Sequence, residues 1–209
     1  MSFHLIDMDH WPRKEFYLHY MNEVVCSYSI NVELDITALC GEKLYPAMIW
    51  LLTSTVNQFQ EFRTCLTDDG PGYFDVMNPS YTVFNDTGKN FSCIWTEFTE
   101  DYTTFYKQYQ EDAERYSCST QFAPKPGMPK NCFDISMLPW LAFTGFNINV
   151  FGSDSGKHLL PIFTIGKWIE KDDKRILPLA IQVHHAVCDG YHVAMFVEEL
   201  QRRINEWGR

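Results

Sequence analysis

Ile176-Leu-Pro-Leu-Ala-Ile-Gln-Val-His-His-Ala-Val-Cys-Asp-Gly-Tyr-His-Val-Ala-Met-Phe-Val-Glu-Glu-Leu200 changes its periodicity midway. Its first part, Ile176–Val187, is apolar and rich in β-formers, the composition of a strand buried in a sheet. Past Gly190, apolar residues recur at Val193, Phe196, Val197, Leu200, Ile204 and Trp207, one face of a helix. Glu198/Arg202 and Glu199/Arg203 fall on the other face as i,i+4 acid-then-base pairs. A strand, a sharp turn and a helix therefore meet where three histidines, a thiol and a carboxylate are concentrated.

Working outward, Pro161–Ile169 and Ile176–Val187 flank the charged turn Glu170-Lys-Asp-Asp-Lys-Arg175 and predict a long hairpin. Tyr28, Ile30, Val32, Leu34 and Ile36 alternate with polar residues, which predicts a half-buried strand. After Tyr45-Pro46, apolar residues at Met48, Ile49, Leu52, Val56 and Phe59 predict an amphipathic helix with proline in its first turn, packed on the sheet. A second helix is expected from about Asp101 to Tyr116, its aromatic stripe belonging to the core. Asp68-Asp-Gly-Pro-Gly72 and Ala123-Pro-Lys-Pro-Gly-Met-Pro129 read as connections. No repeat or linker interrupts the 209 residues, so one domain spanning 1–209, of mixed α/β class, is expected.

The apolar fraction of 45% suffices for a core, and 21% charged residues is too few for a disordered chain. Seventeen Lys+Arg against 27 Asp+Glu give a net charge of −10, which argues against a nonspecific nucleic-acid binder. The longest apolar run, Ala47–Leu52, falls far short of the ~20 residues of a membrane span. The first residues have neither the cationic start nor the apolar stretch of a signal peptide, so a soluble, cytoplasmic protein without membrane partners is expected. Seven scattered cysteines without a CxxC pair are expected to be reduced, mostly as small buried hydrophobes.

Three chemistries compete at the junction Gln182–His192. A metal site would draw on His184 or His185 with Asp189 and His192, but adjacent strand residues point to opposite faces, so both histidines cannot reach one ion without distortion. A nucleophilic Cys188 would need an adjacent base and some exposure, yet it follows a buried strand. The third arrangement has one histidine facing a pocket as general base, the other facing the interior, and Asp189 as an orienting carboxylate. It fits the alternation best and needs no metal.

The string His184-His-Ala-Val-Cys-Asp-Gly190 closely resembles the active-site signature of the trimeric chloramphenicol acetyltransferases, within a larger acyltransferase group carrying His-His-x-x-x-Asp-Gly. Trp11-Pro-Arg13, Tyr45-Pro46, Glu61-Phe-Arg63, Tyr81-Thr-Val-Phe84, Ile135-Ser-Met-Leu-Pro-Trp140, Phe146-Asn-Ile-Asn149 and Pro161-Ile-Phe-Thr164 resemble further landmarks of that family in the same order. The resemblance implies a two-layer α/β sandwich, a large mixed β-sheet covered by helices, assembled as a homotrimer with sites between subunits. It implies acetyl-CoA-dependent O-acetylation of chloramphenicol, with His185 taking the proton of the primary hydroxyl and its tautomer held by its own backbone carbonyl. Ser136 matches an oxyanion donor and Thr164 a threonine that assists through a bound water. Asp189 and Arg13 match an ion pair that keeps the site's shape.

For the acceptor pocket, the resemblance points to Tyr20, Cys26, Tyr28, Phe91, Cys93, Phe146, Ile148 and Val150. Lys43 and Lys167 match lysines near the 3′-phosphate of CoA. Asn85, Gly88-Lys89-Asn90 and Pro12 depart from the commoner family forms, at the edge of the pocket. A related acyltransferase with a different hydroxyl or thiol acceptor is the alternative function that the same histidine would serve.

Overall fold

The computed structural model describes residues 2–148, 150 and 157–208. In chain order the elements are β1 (Phe3–Leu5), α1 (Lys14–Asn22), β2 (Ser27–Asp35), α2 (Leu44–Val56), β3 (Thr64–Thr67), β4 (Gly70–Phe74), β5 (Asn78–Asn85), β6 (Asn90–Trp95), α3 (Tyr102–Tyr116), β7 (Cys132–Met137), β8 (Ile162–Ile165), β9 (Ile169–Lys171), β10 (Lys174–His184) and α4 (Gly190–Asn205). A large mixed sheet has the order β2-β10-β8-β7-β5-β6, with β9 paired to β10, and β1-β4-β3 form a small second sheet. The β5–β7 and β7–β8 pairs are parallel, whereas β10 runs antiparallel to both β2 and β8.

Alternation divides the large sheet into two faces. Leu177, Leu179, Ile181 and Val183 of β10, Phe163 and Ile165 of β8, and Phe133 and Ile135 of β7 enter one core with Met48 and Leu52 of α2, Phe105 of α3, and Val193, Phe196 and Leu200 of α4. The intervening residues, including Ser136, Thr164 and Gln182, face the other way, so the polar groups of the sheet gather opposite the helices. Phe196 stacks on Phe62 (4.4 Å, 17°) and on Phe163 (5.3 Å, 21°), which ties α4 to β8. Such ring pairs add about 0.5–1.5 kcal/mol beyond their area burial, and here they fix the helix that follows the site turn.

The expected hairpin forms with Asp172 and Asp173 at its tip, both at positive φ (53° and 60°). Its first arm breaks at Gly166, where a Cβ would meet Pro178 Cγ at 2.7 Å and Phe143 Cε1 at 2.8 Å. Asp101 caps α3 by accepting from the Thr104 amide at 2.8 Å. Helix α2 is less amphipathic than its spacing suggests: Leu51–Val56 are all buried, because α3 and α4 cover the side turned from the sheet. On α4 the Glu199–Arg203 pair forms at 2.7 Å, but Arg202 engages Glu199 and Glu206 instead of Glu198. Cys40 and Cys118 are exposed, so the cysteines are not uniformly core residues. No helix among the described residues is long and apolar enough to cross a bilayer.

Candidate active site

Strand β10 stops at His184, one residue before the histidine expected to act as base, and the chain turns through residues 185–187 before α4. The two histidines are thus separated by the strand's end rather than by strand alternation. His184 is 1% exposed, and its Nδ1 accepts from the Ala186 amide at 3.1 Å. Burial, helped by His158 and His185, lowers its pKa to about 4, so it stays neutral. The His185 ring lies flat on Tyr20 of α1 (4.3 Å, 10°) and edge-on to Tyr28 of β2 (5.2 Å, 65°). Its side chain is 31% exposed, and Nε2 makes no hydrogen bond among the described residues.

Arg13, just before α1, closes the turn from outside. Its Nε donates to Ala186 O (2.8 Å), Nη2 to His185 O (2.7 Å), and Nη1 and Nη2 to the two oxygens of Asp189 (2.6 and 2.5 Å). Fork-to-carboxylate pairing of this kind is the stronger, geometry-specific sort, and it holds the Asp189 carboxyl below its usual range. Asp189 Oδ1 also lies 3.1 Å from His185 Nδ1 but is poorly aligned, so buried Nδ1 lacks a proper hydrogen-bond partner. The nearby anion nonetheless favours the proton on Nδ1, leaving the Nε2 lone pair outward. The expected hydrogen bond from Nδ1 to the histidine's own carbonyl is absent; that carbonyl accepts from Arg13 Nη2.

The second group of site residues lies under the sheet's other face. Ser136 on β7 and Thr164 on β8 are register partners with hydroxyl oxygens 3.0 Å apart. Ser136 borders a cavity of about 710 Å³ that Phe84, Phe91, Cys93, Phe122, Trp140 and Ile148 also line. Burial, with Asp134 nearby, pushes the Cys93 thiol up to about 11, so it serves as an apolar wall. Thr164 borders a narrow crevice with Phe146, Ile148 and Gln182, next to that cavity through the shared Ile148 and Ile162. Neither cavity nor crevice touches His185.

A sequence profile described as chloramphenicol acetyltransferase matches residues 1–201. A chloramphenicol acetyltransferase of Clostridium perfringens is 47% identical over 214 residues, covering 99% of this chain and 97% of its own length. The chain belongs to the chloramphenicol acetyltransferase family. A family member from Clostridioides difficile is 48% identical over 207 residues, covering 98% and 97%. Among solved structures, a chloramphenicol acetyltransferase superposes with a TM-score of 0.81 at 20% identity, covering 97% of this chain and 100% of its own. The dihydrolipoamide acetyltransferase of Azotobacter vinelandii reaches 0.68 at 19% identity, covering 90% and 85%. At these identities the two superpositions speak to the fold, a large mixed sheet with helices, as the family resemblance implied.

Of the residues that the family resemblance singled out, the structure gathers His185, Asp189, Arg13, Tyr20 and Tyr28 at the turn, with Cys26 O accepting from the His185 amide at 2.8 Å. Ser136, Phe91, Cys93 and Ile148 gather at the cavity, and Thr164 and Phe146 at the crevice. Val150 is exposed and borders neither, while the landmark residue Asn149 lies outside the described residues. Lys43 and Lys167 are exposed at separate points, one before α2 and one after β8. Cys188 is 1% exposed and its thiol is pushed well above the usual range by burial, which removes it as a nucleophile. The metal arrangement fails because the Nδ1 atoms of His184 and His192 each accept a backbone amide instead of converging.

The departures from the commoner family forms acquire local reasons. Asn85 Oδ1 accepts from Thr87 N and Gly88 N, both at 3.0 Å, so it builds the β5–β6 turn instead of facing the cavity. Lys89, at φ 51°, and Asn90 do border the cavity. Phe122 and Trp140 are cavity residues that sequence reasoning passed over. Phe122 sits just before the proline-rich connection Ala123–Pro129, and it is placed by the Cys93 N to Phe122 O bond at 2.6 Å.

Proposed function

We propose that this family member transfers the acetyl group of acetyl-CoA to the primary hydroxyl of chloramphenicol, with His185 as general base, at sites completed between copies of the chain in a homotrimer. His185 Nε2 takes the hydroxyl proton as the oxygen attacks the thioester carbon. The tetrahedral oxyanion accepts from Ser136 Oγ, and Thr164, 3.0 Å from that oxygen, orients the donor or a water beside it. Collapse expels the CoA thiolate, which recovers a proton from the imidazolium. Lys43 and Lys167 supply positive charge for the CoA 3′-phosphate. The seven free cysteines and the need for acetyl-CoA suit a cytoplasmic enzyme.

The observation that carries this reading is the division of the site. Ser136 aligns through Thr164 with Ala180, which precedes His185 by five residues on or beyond β10. Two strand spacings and five strand rises put the two groups roughly 19 Å apart. An alcohol and the thioester it attacks cannot meet both groups at that separation, whereas the turn of one copy set against the cavity of another can offer the base to the hydroxyl and the donor to the thioester carbonyl. A cavity of about 710 Å³ walled by aromatic rings suits a nitrophenyl compound.

The test is release of CoA thiol from acetyl-CoA with and without chloramphenicol. Drug-dependent release is expected. Drug binding without release would make this a silent binding protein, and release only with other hydroxyl or thiol acceptors would assign a different acyl transfer.

A further inference from the structure

We infer that His192 is a positioning residue for the base: its unprotonated Nδ1 holds the last unclaimed backbone amide of the turn that carries His185. This rests on the reading of His185 as the base. Each amide in the turn has one acceptor. His185 N donates to Cys26 O (2.8 Å), Ala186 N to His184 Nδ1 (3.1 Å), and Val187 N and Cys188 N to His184 O (3.1 and 3.0 Å). The fifth, Asp189 N, donates to His192 Nδ1 at 3.0 Å. The helix start at Asp189 is a reciprocal capping box: the Asp189 carboxylate, which Arg13 also holds, accepts from the His192 backbone amide, and the His192 ring one turn into α4 accepts from the Asp189 amide.

A ring can play this part only with its proton on Nε2. Glu61 supplies the reason: its Oε1 lies 3.8 Å from His192 Nε2, close enough for the carboxylate to favour Nε2–H and leave the lone pair on Nδ1. His192 and Glu61 line an open cleft with Phe59, Tyr191 and Met195, and none of these borders the acceptor cavity. His192 therefore turns Nε2 to that cleft and Nδ1 to the backbone of the turn. A shift of the turn by an ångström would carry His185 Nε2 out of reach of the hydroxyl, a displacement that can cost about 10²-fold in rate.

Two polar substitutions separate this role from mere packing, since the Oδ1 of asparagine stands where Nδ1 does and the end of glutamine stands where Nε2 does. His192→Asn is expected to keep kcat within about threefold, and His192→Gln to lose about 10–100-fold in kcat with KM for both substrates changed less than twofold. Equal kcat in the two variants, or a loss confined to KM, would overturn the inference. Nitrogen-15 NMR of the unmodified protein at pH 7.5 provides a check independent of folding of the variants: Nδ1 should give the shift of an unprotonated ring nitrogen, and a protonated Nδ1 would overturn it. His185→Ala run alongside separates the two assignments. Turnover retained there would overturn the base and this role together, whereas its loss beside a fully active His192→Gln would overturn only this one.

Discussion

The turn after β10 and the cavity beneath β5–β8 hold their chemistry by opposite means. In the turn, backbone hydrogen bonds do the holding: Arg13 makes four hydrogen bonds across three residues, His184 offers Nδ1 and its carbonyl, and two aromatic rings fix the imidazole plane. In the cavity, aromatic and aliphatic walls such as Phe84, Phe91, Phe122, Trp140 and Ile148 enclose the space beside Ser136, whose hydroxyl meets that of Thr164 from the adjoining crevice. A base at His185 would need precise placement of one lone pair, which the hydrogen bonds of the turn backbone provide. An oxyanion donor at Ser136 would need exclusion of water, which aromatic walls provide.

That contrast predicts unequal losses. His185→Ala removes the proton acceptor itself and should lower kcat by about 10²–10⁴-fold while leaving chloramphenicol binding largely intact. Steady-state kinetics beside equilibrium drug binding checks this, and near-normal turnover would reject the base. Ser136→Ala should lower kcat by about 10²–10³-fold with little change in KM. A loss carried entirely by KM would mean that Ser136 binds substrate uniformly and is no oxyanion donor.

A smaller effect separates the two neighbouring histidines. His184 has a folded pKa of about 4 against an ordinary 6.5, so the unfolded chain binds the proton more readily between those values. Its contribution is complete above pH 6.5 and lost as pH falls toward 4, on the order of 3 kcal/mol at most. Urea unfolding at pH 7 and pH 4.5 should show a steeper acid loss in the natural protein than in His184→Asn. Equal loss in both would show that His184 is not held neutral by burial.

Much of the fold was legible from local patterns. The alternation from Tyr28 to Ile36 marks the core face of β2, and the spacing from Val193 to Ile204 marks the buried face of α4. The end of β10 was not legible, because the residues that follow it are held by a guanidinium 172 to 176 residues away in sequence, through the carbonyls of His185 and Ala186 and the carboxylate of Asp189. The burial of α2 on all sides likewise depends on α3 and α4 lying over it. The residues alone pointed to one of the two adjacent histidines as a base; the choice of His185, like that of Ser136, came from resemblance, since a serine in Ile-Ser-Met carries no local signal. Their separation within one chain follows from the strand order, which no window of sequence encodes. His192 was weighed only as a metal ligand, because its acceptor role depends on the helix beginning at Gly190.

The central claim, that base and oxyanion donor meet only across two copies, is tested most directly by mixing two inactive proteins. His185→Ala and Ser136→Ala chains, co-refolded in equal amounts, should recover about a quarter of wild-type kcat per site, since random assembly pairs an intact His185 with an intact Ser136 that often. A mixture no more active than its separate parents would contradict the claim and return both groups to a single chain.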